Sequence, residues 1–111
     1  MEFGIDNTQH GRYAVVAVRG EVDALTSPQL RRSIEELVSD GQAQLVLDLR
    51  EVKFLDSSAL SVLVSGRKQV QAEGGDLTLV CTEPRILQLF QITNLEDVFT
   101  IHDSVEAATS G

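Results

Sequence analysis

The sequence predicts an α/β (α+β) fold, with a mixed sheet of four to five strands and about four helices. Three observations predict it. Apolar runs of strand length recur at Tyr13 to Val18, Leu45 to Leu49 and Leu77 to Cys81. The segments between them carry apolar residues at helical spacing. Turn-forming residues punctuate the joins, at Gly11, Gly20, Pro28, Gly41, Gly74-Gly75 and Pro84.

The elements follow in order. Residues 3–8 form a short strand, and His10-Gly11 reverses the chain. Tyr13-Ala14-Val15-Val16-Ala17-Val18 is almost wholly apolar, the pattern of a strand covered on both faces. It ends at Arg19-Gly20-Glu21-Val22-Asp23. Ser27 is then a good N-cap and Pro28 suits the first helical position. Leu30, Ile34, Leu37 and Val38 form the buried stripe of that helix, and Gly41 closes it. Leu45 to Leu49 is the next buried strand.

A second helix is predicted over roughly 57–73, with Leu60, Leu63, Val64 and Val70 inward and Gly74-Gly75 as its stop. Leu77 to Cys81 is a strand, and Pro84 opens a third helix that turns Ile86, Leu87 and Phe90 to one side. Val98-Phe99-Thr100-Ile101 is a last strand. Asp103 and Glu106 have the spacing of a capping box for a short terminal helix. Two strands followed by alternating helix and strand give a hairpin start with right-handed crossovers after it.

The 111 residues are read as one domain, residues 1–111, long enough for a core without staples. Cys81 is the single cysteine, so an internal disulfide framework is excluded. The apolar runs are too short to span a bilayer, and Met1-Glu2-Phe3-Gly4 has no basic-then-apolar leader pattern. These features predict a cytoplasmic protein with no membrane contact. The net charge of −8 argues against nucleic acid, which rewards lysine and arginine, and fits a soluble chain with a protein partner.

The richest segment is Val52-Lys53-Phe54-Leu55-Asp56-Ser57-Ser58-Ala59-Leu60. An apolar strand ends at an acid and two hydroxyls, and a helix begins there. A helix N-terminus offers unpaired N–H groups and the positive end of the dipole, which suit an anion or a phosphate carried on a serine. Capping alone explains one such residue, and here three stand in a row. Ser58, Ser61 and Ser65 share one helical face by their spacing, and Gly66 extends this small-residue region. Small polar side chains there leave room for another protein.

Asp23 follows a strand as Asp56 does. The carboxyl ends of parallel strands share one edge, so both acids are placed toward Ser57; a turn or cap is the plain alternative for Asp23. A nucleophilic Ser57 needs a base, and the histidines, His10 and His102, form no recognisable triad pattern. No P-loop, clustered metal ligands or EF-hand is present. Neither a metal nor a cofactor is expected, and no catalytic residue is assigned. Cys81 at a strand end reads as core.

The same segment resembles the Asp-Ser-Ser/Thr-Gly-Leu signature of STAS domains, in particular the bacterial anti-sigma factor antagonists. Gly20-Glu21-Val22-Asp23 resembles that family's Gly-Glu-Leu/Ile-Asp motif, and Leu45 to Leu49 and Gly74-Gly75 through Cys81 match further parts in order. The resemblance implies a STAS-type fold and phosphorylation of Ser57, the serine directly after the signature aspartate. It implies that the unphosphorylated protein binds an anti-sigma factor that is itself a GHKL-type serine kinase, and so releases a sigma factor. Phosphorylation breaks the complex and a PP2C-type phosphatase restores it. Partner contacts are then expected at Asp23, Asp56, Ser57, Ser58, Ala59, Ser61 and Ser65. Ala59 stands where the family usually has glycine. The alternative within the family is a non-switching scaffold subunit of a signalling or lipid-transport complex.

Overall fold

In the computed structural model, residues 2–110 are described. Seven residues of β1 (Gly4–His10) pair antiparallel with β2 (Tyr13–Val22), joined by a turn at Gly11 and Arg12. The chain then alternates through α1 (Ser27–Ser39), β3 (Gln44–Leu55), α2 (Ser57–Ala72), β4 (Asp76–Val80), α3 (Pro84–Ile92), β5 (Ile101–His102) and α4 (Val105–Ala108). The sheet order is β1-β2-β3-β4-β5, with parallel pairing from β2 onward. Mixed topology of this kind follows from a hairpin start and helical crossovers afterwards.

One sheet face carries Ala14, Val16, Val18, Leu45, Leu47, Leu49, Leu77 and Leu79, which pack with residues of α1, α2 and α3 into the main core. The other face places Val15, Val46 and Val80 beneath Ala108, with Tyr13 and Val105 at the margin. Covering both faces accounts for the unbroken apolar run in β2, because an alternating pattern would leave polar side chains against α4.

Several boundaries move from the sequence expectation. Leu45 to Leu49 and the segment leading to Asp56 form a single strand, β3. Two register shifts against β2 fall between Ala17 and Arg19 and between Gly20 and Glu21, and each puts an extra residue in β3. Such bulges twist and bend a strand, and they re-aim its end. Thr26, not Ser27, takes the N-cap position of α1. Ser27 is the first helical residue and is 6% exposed. Gly41 does close α1, at φ +85°. Ser104, not Asp103, caps α4: its hydroxyl accepts from the Ala107 N–H at 3.1 Å, so Glu106 is out of capping-box register.

The last strand lies later than Val98 to Ile101. A 3-10 turn over Leu95–Asp97 draws in the N–H groups of Val98 and Phe99, which both donate to the Leu95 carbonyl. Phe99 then enters the core, edge-on to Phe90 at 6.1 Å. Only Ile101 and His102 remain to pair with β4.

Helix α2 also turns differently. Ala59, Val62, Leu63, Gly66 and Val70 are its buried residues, whereas Leu60 and Val64 are only half-buried. Gly66 is not part of an exposed small-residue region. A Cβ there would stand 3.2 Å from Ile34 Cδ1 and 3.3 Å from Leu77 Cδ1. The missing side chain lets α2 approach α1 and β4 closely.

Candidate partner-binding and modification site

The carboxyl ends of β2 and β3 lie side by side, with Val22 opposite Leu55. The Asp56 N–H donates to the Val22 carbonyl at 3.2 Å, which fixes where β3 gives way to α2. Asp56 is the N-cap in extended geometry, and its Oδ1 accepts from the Ala59 N–H at 3.1 Å. The Leu60 N–H then donates to the Asp56 carbonyl at 3.1 Å, the first helical bond. The N–H groups of Ser57 and Ser58 precede that bond, so the helix itself supplies them no acceptor. Ser57 is exposed and Ser58 is half-buried.

From Ser57 the exposed side of α2 forms a shallow depression of about 370 Å³, lined by Ser57, Leu60, Ser61, Val64, Ser65 and Lys68. The face expected from Ser58, Ser61 and Ser65 is thus built on Ser57, Ser61 and Ser65, with Leu60 and Val64 between them. Leu60 and Val64 are half-buried and pack against the main core, as their helical spacing predicts, and their outer edges also line this depression, which spacing alone does not indicate. A shallow lining that mixes half-buried leucine and valine with hydroxyls and one lysine is suited to a complementary protein surface.

Ala59 lies elsewhere. It is 0% exposed and helical, so its methyl joins the core. Ala59→Gly should therefore cost about 1–2 kcal/mol, from helix propensity and a lost buried methyl. Urea unfolding reads this directly, and an unchanged midpoint would count against the packing described.

Asp23 begins a tight turn. Its Oδ1 accepts from the N–H groups of Leu25 at 2.9 Å and Thr26 at 3.1 Å. The Thr26 N–H, foremost, holds the Asp23 carboxyl below the usual carboxylate range; partial desolvation opposes it, and the Leu25 N–H reinforces it. The backbones of Asp23 and Asp56 are neighbours, while each carboxylate is occupied by its own turn or helix. Neither acid lines the depression beside Ser57.

His10 ends β1 opposite Tyr13, at the amino end of β2 and so at the far edge from Ser57. His102 sits on β5, beyond β4. No histidine lines the Ser57 depression. Cys81 is buried, and burial pushes its thiol up. Among the described residues no group of three or more His, Cys, Asp or Glu is arranged to hold a metal ion. No helix among them is long and apolar enough to cross a membrane.

The five-stranded mixed sheet thus presents a capped, serine-bearing helix start at its carboxyl edge. Residues 4–108 match the STAS domain family, and the chain belongs to it. It is 35% identical over 101 residues to the anti-sigma-B factor antagonist of Bacillus subtilis (strain 168), covering 91% of this chain and 92% of that protein. A crystal structure of an anti-sigma factor antagonist from Mycobacterium paratuberculosis is similar at TM-score 0.89 and 28% identity, covering 98% of this chain and 92% of that one. The phosphorylated form of the Bacillus cell fate determinant SpoIIAA shares the fold at TM-score 0.72 and 20% identity, covering 96% of each chain.

Proposed function

We propose that the protein is an anti-sigma factor antagonist switched by phosphorylation of Ser57. Unphosphorylated, it binds an anti-sigma factor that is a GHKL-type serine kinase and releases the sigma factor. Phosphate on Ser57 ends the complex, and a PP2C-type phosphatase resets it. The domain is a substrate and binding module with no catalysis of its own. The observation that carries this reading is the position of Ser57: exposed, first in a capped helix, and lining a depression that it shares with Leu60, Ser61, Val64, Ser65 and Lys68.

Other features support it. The similarity to the Bacillus subtilis antagonist spans nearly the whole of both chains. The fold is compatible with phosphorylation, since SpoIIAA adopts it in phosphorylated form. The contact surface proposed is Ser57, Ser61 and Ser65 with Leu60 and Val64, flanked by Asp56 and Ser58 and by the Asp23 turn.

Mass spectrometry of the protein purified from its own host, with and without phosphatase, tests the switch. A phosphate on Ser57 that the phosphatase removes is the expected result. A phosphate placed only elsewhere would move the site, and none across growth and stress conditions would leave the non-switching scaffold.

A further inference from the structure

Large apolar side chains stand in solvent at Leu25 (87% exposed), Ile92 (70%) and Phe54 (48%). Ile92 closes α3, and an isolated exposed apolar residue needs no explanation. Leu25 is different because its backbone is locked. The Asp23 carboxylate accepts from the Leu25 and Thr26 N–H groups, and the Ser27 N–H donates to the Asp23 carbonyl at 2.8 Å. The Thr26 hydroxyl donates to the Glu21 carbonyl at 2.8 Å and accepts from the Asp23 N–H at 3.0 Å. An acid–hydroxyl clamp thus fixes a leucine that packs on almost nothing.

The clamp is continuous with the proposed site. It starts one residue after Val22, whose carbonyl takes the Asp56 N–H. Folding gains little from a leucine left in water, whereas docking gains from an apolar side chain on a backbone that is already ordered.

Resting on the antagonist reading above, we propose that Leu25 is an apolar anchor for the anti-sigma factor and helps set partner choice, with Asp23 as its positioning residue. The partner presents an apolar recess to Leu25. Asp23 acts through the turn, and its charge is not the contact.

The test is a titration of each serine-kinase anti-sigma factor of the host, purified and held in ADP so that no phosphate moves. Its ligands are the wild-type protein, Leu25→Ala, Asp23→Ala and Asp23→Asn. Leu25→Ala should weaken Kd by about tenfold or more, as anchor residues do, at an unchanged melting temperature. Asp23→Ala should lose as much. Asp23→Asn should stay within about twofold of wild type, because asparagine keeps the oxygen that such turns require. Wild-type affinity in Leu25→Ala overturns the anchor. An Asp23→Asn as weak as Asp23→Ala overturns the positioning role and makes the charge the contact. A dimer of the free protein that Leu25→Ala dissolves assigns the residue to self-association, against the proposal. If no kinase binds wild type, the antagonist reading itself fails, an outcome distinct from a kinase that binds wild type and Leu25→Ala alike.

Discussion

Phosphorylation of Ser57 is expected to weaken binding to the anti-sigma factor by about 100-fold or more, equivalent to about 2.7 kcal/mol, while the fold stays intact. The phosphate adds about 1.5 to 2 negative charges at neutral pH. Within the domain it has a favourable place, because the N–H groups of Ser57 and Ser58 and the positive end of the α2 dipole lie at the modified residue. Across an interface the balance reverses. The surface continuing from Ser57 carries Leu60 and Val64 among Ser61, Ser65 and Lys68, and a partner seated there would exclude water from the new charge. Burying an unpaired charge or setting like charges together costs several kcal/mol. Lys68, the cation lining the depression, is eleven residues along the helix from Ser57, about three turns away, and is exposed to solvent. Calorimetric titration of the unmodified protein, the phosphoprotein and Ser57→Ala makes the comparison. Ser57→Ala should bind within about twofold of wild type, since an alanine methyl fits wherever the serine did. Equal affinity of the phosphoprotein would remove the electrostatic switch, and a large fall in its melting temperature would assign the loss to unfolding instead.

The start of this site was legible in the sequence because its chemistry is local. Asp56 caps by accepting an N–H three residues on, and that relation is written in residue order. The parallel edge that makes Asp23 and Asp56 backbone neighbours was equally readable from two strand ends that each finish in an acid. The face of α2 was not. Leu60 and Val64 are as apolar as Val62 and Leu63, so helical spacing admits more than one inward stripe. Gly66 decides between them, because its missing side chain fits against Ile34 and Leu77, residues distant in sequence. The caps show the same limit on a smaller scale. Thr26 and Ser27, and likewise Asp103 and Ser104, are adjacent candidates with similar chemistry. The turn geometry selects between them: the Thr26 hydroxyl is drawn to the Glu21 carbonyl, and the helix starts one residue away from the expected cap. The bulges in β3 have no local signature, since they arise from how β2 and β3 align.

Gly74 and Gly75 carry the second large expected effect, and they separate two reasons for glycine that the sequence presents as one stop signal. Gly74 sits at φ +84° with open space around its would-be Cβ. Alanine there meets only the backbone penalty of the left-handed region, about 1–2 kcal/mol. Gly75 has no such backbone demand, yet a Cβ would overlap the carbonyl oxygen of Ala43. That oxygen accepts the Asp76 N–H at 3.0 Å, immediately before β3 and β4 begin pairing at Gln44 and Asp76. The Gly75 N–H is held on the other side by the Val70 carbonyl at 2.8 Å, so the residue has little freedom to retreat. A methyl must therefore force apart the start of a central parallel pair or break the closing bonds of α2. Gly75→Ala should cost about 3 kcal/mol and lower the melting temperature by on the order of 10 °C, clearly more than Gly74→Ala. Chemical and thermal unfolding of the two single variants reads the difference. Equal losses would mean that both glycines serve backbone conformation alone, and that the close approach of Ala43 to Gly75 contributes nothing to holding β3 against β4.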